Sequence, residues 1–144
     1  MRYRFVDEIV SLTLDGTPRI EVAKCFDPSD DVFSGPQGPG RVPESLLLEL
    51  MAMTGGQLIF QRLDRRRLPL LLKVPECLVE GEASAGDRLR AVATLRGLTS
   101  QADGTCVAET ETEVSVESRT IARARLMFVS VDAPEDELAR GARA

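Results

Sequence analysis

The 144-residue sequence contains no histidine and no tryptophan, and aromatic residues make up only 4% of it. Without imidazole, a Ser-His-Asp triad, a Cys-His dyad and the usual zinc sites are all excluded. The three cysteines, Cys25, Cys77 and Cys106, are far apart and include no Cys-x-x-Cys pair. A three-thiolate metal site would still need a carboxylate or water as fourth ligand, so we interpret them as free thiols in a reducing compartment. We expect neither a metal nor a cofactor.

The sequence also lacks a long apolar run and an excess of positive charge. No apolar segment reaches the roughly 20 residues that a bilayer-spanning helix needs. The acidic residues Asp7 and Glu8 interrupt the N-terminal segment, which therefore contains no continuous apolar core of a signal peptide before them. The formal net charge of −5 argues against nucleic-acid binding, which requires a basic face. We therefore expect a cytoplasmic protein that binds neither membrane nor nucleic acid.

The composition is that of one globular domain, because 43% of the residues are hydrophobic and 28% are charged. We predict that the domain spans residues 1–132 and that the polar segment 133–144 is a flexible tail. Alternating apolar residues predict a hairpin from Phe5–Leu14 and Arg19–Cys25 around the turn Asp15-Gly16, with Ile20 and Val22 facing inward. The same pattern predicts four later strands at Leu71–Glu80, Asp87–Leu98, Gly104–Val116 and Arg119–Val131.

One helix is predicted between the two groups of strands. A segment rich in glycine and proline, residues 26–42, is interpreted as a shaped loop. Pro43 and Glu44 suit the first turn of a helix, and Leu46–Phe60 is apolar nearly all round, so this helix should be buried. The order of elements predicts an α+β fold in which a curved antiparallel sheet is wrapped around one long central helix.

Several segments together resemble the (3R)-hydroxyacyl-acyl carrier protein dehydratases of fatty-acid synthesis, which have the hotdog fold. The resemblance is carried by Phe33-Ser34-Gly35, the following glycine- and proline-rich turn, Val42-Pro43 and Leu46–Glu49. Val6-Asp7, the turn Ala85-Gly86-Asp87 and the segment Ala122–Met127 are similar to other parts of that family. The resemblance implies a hotdog fold and a thioester substrate carried by acyl carrier protein or coenzyme A, in fatty-acid or polyketide metabolism. It also implies a homodimer, a higher oligomer or a heterodimer, whose acyl tunnels are built from both subunits.

The resemblance assigns site residues to the loop and to the start of the helix. Glu49 falls on the family's catalytic carboxylate, whereas Pro36 stands where the family has its catalytic histidine. Substrate binding would involve Gly35, Pro36, Pro43, Glu44 and Ser45. The backbone N–H groups near Glu44 and Ser45 would polarise the thioester carbonyl, as helix N-termini can.

Glu49 is the only ionisable residue between Leu46 and Gln61. A carboxylate in an apolar helix needs a partner or a cavity, so it is either a functional group or a glutamate at a helix edge or dimer seam. Three functions follow: a dehydratase-like protein that binds acyl thioesters, a hotdog thioesterase that uses Glu49 alone, or a non-catalytic subunit of a heteromeric dehydratase or acyl-binding protein.

A dense group of cations follows the helix, formed by Arg62, Arg65, Arg66 and Arg67. Carrier proteins are acidic, so this group is a candidate docking site for one. A solvated helix end explains the same residues, because cations are favourable at a helix C-terminus.

Overall fold

The computed structural model describes residues 6–33 and 40–132, which form one α-helix, one short 3-10 helix and six strands. The elements are β1 (Glu8–Thr13), β2 (Arg19–Cys25), a 3-10 helix (Asp31–Phe33), α1 (Glu44–Arg62), β3 (Arg67–Val79), β4 (Arg88–Ser100), β5 (Cys106–Val116) and β6 (Arg119–Asp132). The predicted order of strands and helix is confirmed. Gly35, Pro36 and the predicted tail 133–144 lie outside the described residues, so those predictions stay untested.

All six strands form a single antiparallel sheet in the order β1-β2-β4-β5-β6-β3. The hairpin between β5 and β6 turns at Glu117 and Ser118, whose φ angles of 50° and 70° are both left-handed. Such turns match the right-handed twist of the strands they join. Strands β1 and β3 are the two edges of the sheet, so each leaves one row of backbone groups without a partner strand among the described residues.

Helix α1 packs across the inner face of the sheet. Its buried residues are Leu47, Leu50, Met51, Thr54, Gly55, Leu58 and Ile59. Alternate residues of β5 meet them, and Ala108 and Val114 are fully buried there. At the crossing, a Cβ atom on Gly55 would lie 2.7 Å from Thr110 Oγ1. Glycine at this position therefore lets the helix approach the sheet closely.

The expected enclosure of the helix is not confirmed for the single chain. The sheet covers one side of α1, while Glu49 is exposed on the other side and Met53 is 48% exposed. The enclosure stays a prediction, because an apolar helix surface indicates that something covers it, without indicating that the same chain does so. Within residues 6–33 and 40–132, no helix combines the length and the apolar character needed to cross a membrane.

Two element boundaries also differ from the predictions. Strand β3 begins at Arg67, whereas the sequence predicts a strand from Leu71 and assigns Arg67 to the end of the helix. The helix ends at Arg62 because Asp64 and Arg65 take left-handed φ angles of 57° and 61°. The predicted hairpin is present, but every residue of β1 is exposed, since this edge strand lies beyond the reach of α1.

Candidate functional site

The N-terminal end of α1 presents two backbone donors. Pro43 is the N-cap residue and makes no side-chain cap, and its carbonyl accepts hydrogen bonds from the N–H groups of Leu46 and Leu47 at 3.0 and 3.2 Å. The N–H groups of Glu44 and Ser45 have no partner within the described parts of the chain. Both donors therefore remain available to a carbonyl oxygen that carries developing negative charge.

A cavity of about 180 Å³ lies beside this helix end. Its lining residues are Arg41, Val42, Glu44, Leu47, Val79, Glu80, Gly81 and Glu82. Leu47 and Val42 are buried, but four of the eight lining residues are charged, and Arg41 forms an ion pair with Glu82. Three of these four charged residues are acidic, so the cavity is unfavourable for a phosphate.

Glu49 lies on the exposed side of α1, four residues after Ser45 and four before Met53. Residues at this spacing share one helix face, and all three are exposed. Glu49 makes no hydrogen bond and no ion pair to any other residue in the described ranges. Its carboxylate therefore lies on an open face of the helix, next to apolar surface and close to the two free backbone donors. Its predicted position in a tunnel is not tested by the single chain.

Cys77 is the thiol nearest to this end of the helix. Burial raises the pKa of Cys77, and the negative charge of Glu44 raises it further. The thiol form consequently dominates at neutral pH, and the thiol is a poor nucleophile. The described residues also contain no group of three or more Cys, Asp or Glu side chains placed to hold a metal ion.

The four arginines at the other end of α1 do not form one uniform patch. Arg65 donates from Nε to Gln61 Oε1 at 3.1 Å, and Arg67 lies 3.5 Å from the carboxylate of Asp132. Arg62 and Arg66 are exposed and form no ion pair with the other residues described. The helix of 19 residues, about 28 Å long at 1.5 Å per residue, separates this group from Pro43, Glu44 and Ser45.

Sequence reasoning missed one polar group near the predicted loop, the pair of Lys24 and Asp7. The Lys24 side chain is only 8% exposed, and its Nζ lies 3.1 Å from Asp7 Oδ1. The alternation of Ile20, Val22 and Lys24 along β2 was a usable signal, since it puts all three side chains on the inner face.

No family model and no curated protein matches this chain. Several solved structures are similar to it. A phenylacetic acid degradation-related protein of Ralstonia eutropha, described as a thioesterase, is 20% identical with a TM-score of 0.68, covering 85% of this chain and 83% of its own. The dehydratase heterocomplex ApeI:P of Xenorhabdus doucetiae is 15% identical with a TM-score of 0.67, covering 98% of this chain and 90% of its own.

A third similar structure is a hypothetical thioesterase of Streptococcus pneumoniae solved with coenzyme A. It is 14% identical with a TM-score of 0.61, covering 89% of this chain and 90% of its own. At these identities the likeness shows the fold, which is the hotdog fold that the resemblance implied.

Proposed function

We propose that this chain is the acyl-thioester-binding subunit of a hotdog dimer of the dehydratase type, with Glu49 as its acid–base group. The observation that carries the proposal is the N-terminal part of α1. There the exposed carboxylate of Glu49 lies one helical turn after the N–H groups of Glu44 and Ser45, which have no partner among the described residues, and a separate cavity opens beside Glu44 and Leu47. The thioester carbonyl oxygen accepts hydrogen bonds from the N–H groups of Glu44 and Ser45. When the α-proton is removed, the negative charge of the enolate develops on this same oxygen, and the two donors stabilise it.

Dehydration of a 3-hydroxyacyl thioester needs two proton-transfer groups. One removes the α-proton, and the other protonates the departing β-hydroxyl. Glu49 supplies one group, and no histidine in this chain supplies the other. We therefore propose that a different hotdog subunit contributes the histidine to a mixed site. The likeness to a dehydratase heterocomplex over 98% of this chain supports this arrangement.

The second subunit is proposed to join along β3. This edge strand is 13 residues long, and Leu70, Leu71, Leu72 and Leu78 on it are 43–55% exposed. Long apolar edges associate with other strands unless they are covered. Pro69 and Pro75 have no N–H group, so the pairing must leave those two positions without a donor. The acyl chain would then lie between α1 and the partner.

Thioester hydrolysis is the second candidate. Glu49 alone can act as a general base or nucleophile for hydrolysis, which needs no histidine. Two of the similar structures described above are named thioesterases. The carrier is proposed to be either acyl carrier protein, docked on Arg62 and Arg66, or coenzyme A.

The test compares wild type with Glu49→Gln, using Glu113→Gln as the matched control. Glu113 is an exposed glutamate on the outer face of the sheet, remote from α1. Each variant is incubated with 3-hydroxyacyl and saturated acyl thioesters, alone and with a hotdog dehydratase subunit that carries a catalytic histidine. Loss of a positioned acid or base should lower turnover by about 10²-fold or more, and Glu113→Gln should behave as wild type.

The products distinguish the candidates. Water loss that requires the second subunit supports the dehydratase, and thiol release by this chain alone supports the thioesterase. Failure of the wild type to bind either thioester, alone or with the partner, contradicts the proposed function.

A further inference from the structure

At the C-terminal end of β2, the charged side chain of Lys24 lies among apolar ones. Lys24 lies on the same side of β2 as Ile20 and Val22, which are fully buried, and it pairs in register with buried Leu89. Burying an ammonium group is costly unless a partner compensates its charge. The position of Lys24 therefore requires an explanation from its contacts.

Asp7 provides a compensating charge and connects two strands. One carboxylate oxygen lies 3.1 Å from Lys24 Nζ, and the other accepts a hydrogen bond from the Cys25 N–H at 2.7 Å. The ammonium also lies 5.2 Å from the centre of the Phe26 ring, within the range of a cation–π contact. The contacts of Lys24 and Asp7 thus link the residue just before β1, Asp7, to the end of β2 and to Phe26 just after it.

Residues 26–33, which we call the first stem, continue from this point toward the predicted substrate loop. Phe26 and Phe33 are buried, and their ring centres are 6.1 Å apart. The Phe26 carbonyl accepts a hydrogen bond from the Gly86 N–H at 2.8 Å. The first stem is therefore fixed to the turn formed by residues 83–87.

Residues 40–42, the second stem, attach to the same turn. The Val42 N–H donates to the Ala83 carbonyl at 2.7 Å, and the Ala85 N–H donates to the Gly40 carbonyl at 3.1 Å. The turn depends on Gly86, whose φ of +94° disfavours other residues. Both ends of the segment that joins β2 to α1 are consequently held on one short turn.

We propose that Lys24 is a positioning residue, which with Asp7 clamps the first stem against the turn and so fixes the distance between the two stems. This inference rests on the proposed function, because the second stem leads directly into Pro43, Glu44 and Ser45. Lys24 thereby controls thioester binding without touching the thioester.

The informative substitution is Lys24→Met, which removes the ammonium and keeps an unbranched apolar side chain. Asp7 is 40% exposed in its side chain, so water can solvate its carboxylate and the fold should survive. Lys24→Arg keeps the charge and serves as the conservative variant. The matched control is Arg88→Met, which removes an exposed cation paired with Glu8 at the same end of the sheet.

Two measurements on the full chain in its assembled form test the clamp. Hydrogen exchange of the amides in residues 26–33 should become about tenfold faster in Lys24→Met, because the stem opens locally. Affinity for a hydrolysis-resistant acyl-pantetheine thioether should fall by about the same factor, since binding requires the closed stem. Lys24→Arg should recover part of both values, and Arg88→Met should match wild type.

Unchanged exchange in the first stem overturns the proposal. Faster exchange that extends equally over β4, β5 and β6 also overturns it, since that pattern is general destabilisation. Faster exchange in the first stem of Lys24→Met, with unchanged affinity for the thioether, would show that Lys24 has no role in thioester binding. A wild-type protein that binds no thioether contradicts the proposed function instead, and the exchange result then decides the clamp by itself.

Discussion

Charged residues on the outer face of the sheet are paired across neighbouring strands. Glutamates alternate along β5 and face outward, and Glu109 and Glu111 bind Arg125 and Arg96 at 2.9 and 3.1 Å. Arg90 on β4 binds Glu21 on β2, and this hydrogen bond is the main reason that the pKa of Glu21 lies below its ordinary value. Opposite charges on adjacent strands of this kind stabilise the observed register.

The Glu21 pair makes stability depend on pH. A carboxyl group with a lowered pKa contributes its stabilisation above its unfolded pKa of about 4.3, and loses it as the pH falls through the lower folded value. Glu21→Gln should therefore reduce the free energy of unfolding by about 0.5–1 kcal/mol at pH 7, and by less at pH 3. Urea unfolding at both pH values measures the difference. An equal loss at pH 7 and pH 3 would contradict this origin, and Glu113→Gln is the control.

The candidate site was only partly predictable from single residues. The isolation of Glu49 in an apolar helix is visible in the sequence, and so is the resemblance of Val42-Pro43 and Leu46–Glu49 to a known family. The exposure of Glu49 is not visible, because it depends on which side of α1 the sheet covers. The burial of Lys24 was also missed, since its compensating charge, Asp7, is 17 residues away and becomes its neighbour only when β1 and β2 pair.

Two adjacent glycines of α1 lie against the sheet in different surroundings. A Cβ atom on Gly55 would lie 2.7 Å from Thr110 Oγ1 and 3.3 Å from Phe128. A Cβ atom on Gly56 would lie 3.7 Å from Phe128 and 3.8 Å from Pro69, which are ordinary contact distances. The two positions therefore separate the effect of close packing from that of helix propensity.

Alanine substitutions at these positions should have opposite signs. Gly55→Ala should destabilise the protein by about 1–2 kcal/mol, because overpacking in a core exceeds the gain in helix propensity. Gly56→Ala should stabilise it by up to about 1 kcal/mol, because only the propensity gain applies. Thermal and urea unfolding of the two variants measure both effects. Stabilisation by Gly55→Ala would show that the contact with Thr110 relaxes freely.

The helix and the strands were more predictable from the sequence than the exact ends of the strands and the exposure of their residues. The alternation in β5 and the apolar run of α1 depend on local periodicity, and both elements lie where the sequence predicts them. Strand β3 begins at Arg67 instead of Leu71 because its pairing with β6 extends to Asp132, which is opposite Arg67, and includes Pro69. Neither that pairing nor the exposure of all of β1 is encoded in a short stretch of sequence.

The complete sheet has two unlike edges. Strand β1 has six residues with an irregularity between Ile9 and Ser11, and it carries apolar side chains such as Leu12. Strand β3 has 13 residues and lies alongside α1, whose outer side carries exposed Met53. Only the β3 edge therefore adjoins apolar helix surface, so it is the edge at which a second subunit would cover both strand and helix.

Disrupting each edge separately tests this asymmetry. Leu72 on β3 is 55% exposed and Leu12 on β1 is 37% exposed, so an arginine at either position should leave the core intact. Leu72→Arg should abolish assembly, because pairing along β3 would bury its charge, whereas Leu12→Arg should assemble as wild type. Sedimentation velocity of the chain alone, and of its mixture with a histidine-bearing hotdog subunit, measures the oligomeric state. Dissociation caused by Leu12→Arg, or assembly undisturbed by Leu72→Arg, would contradict a subunit contact along β3.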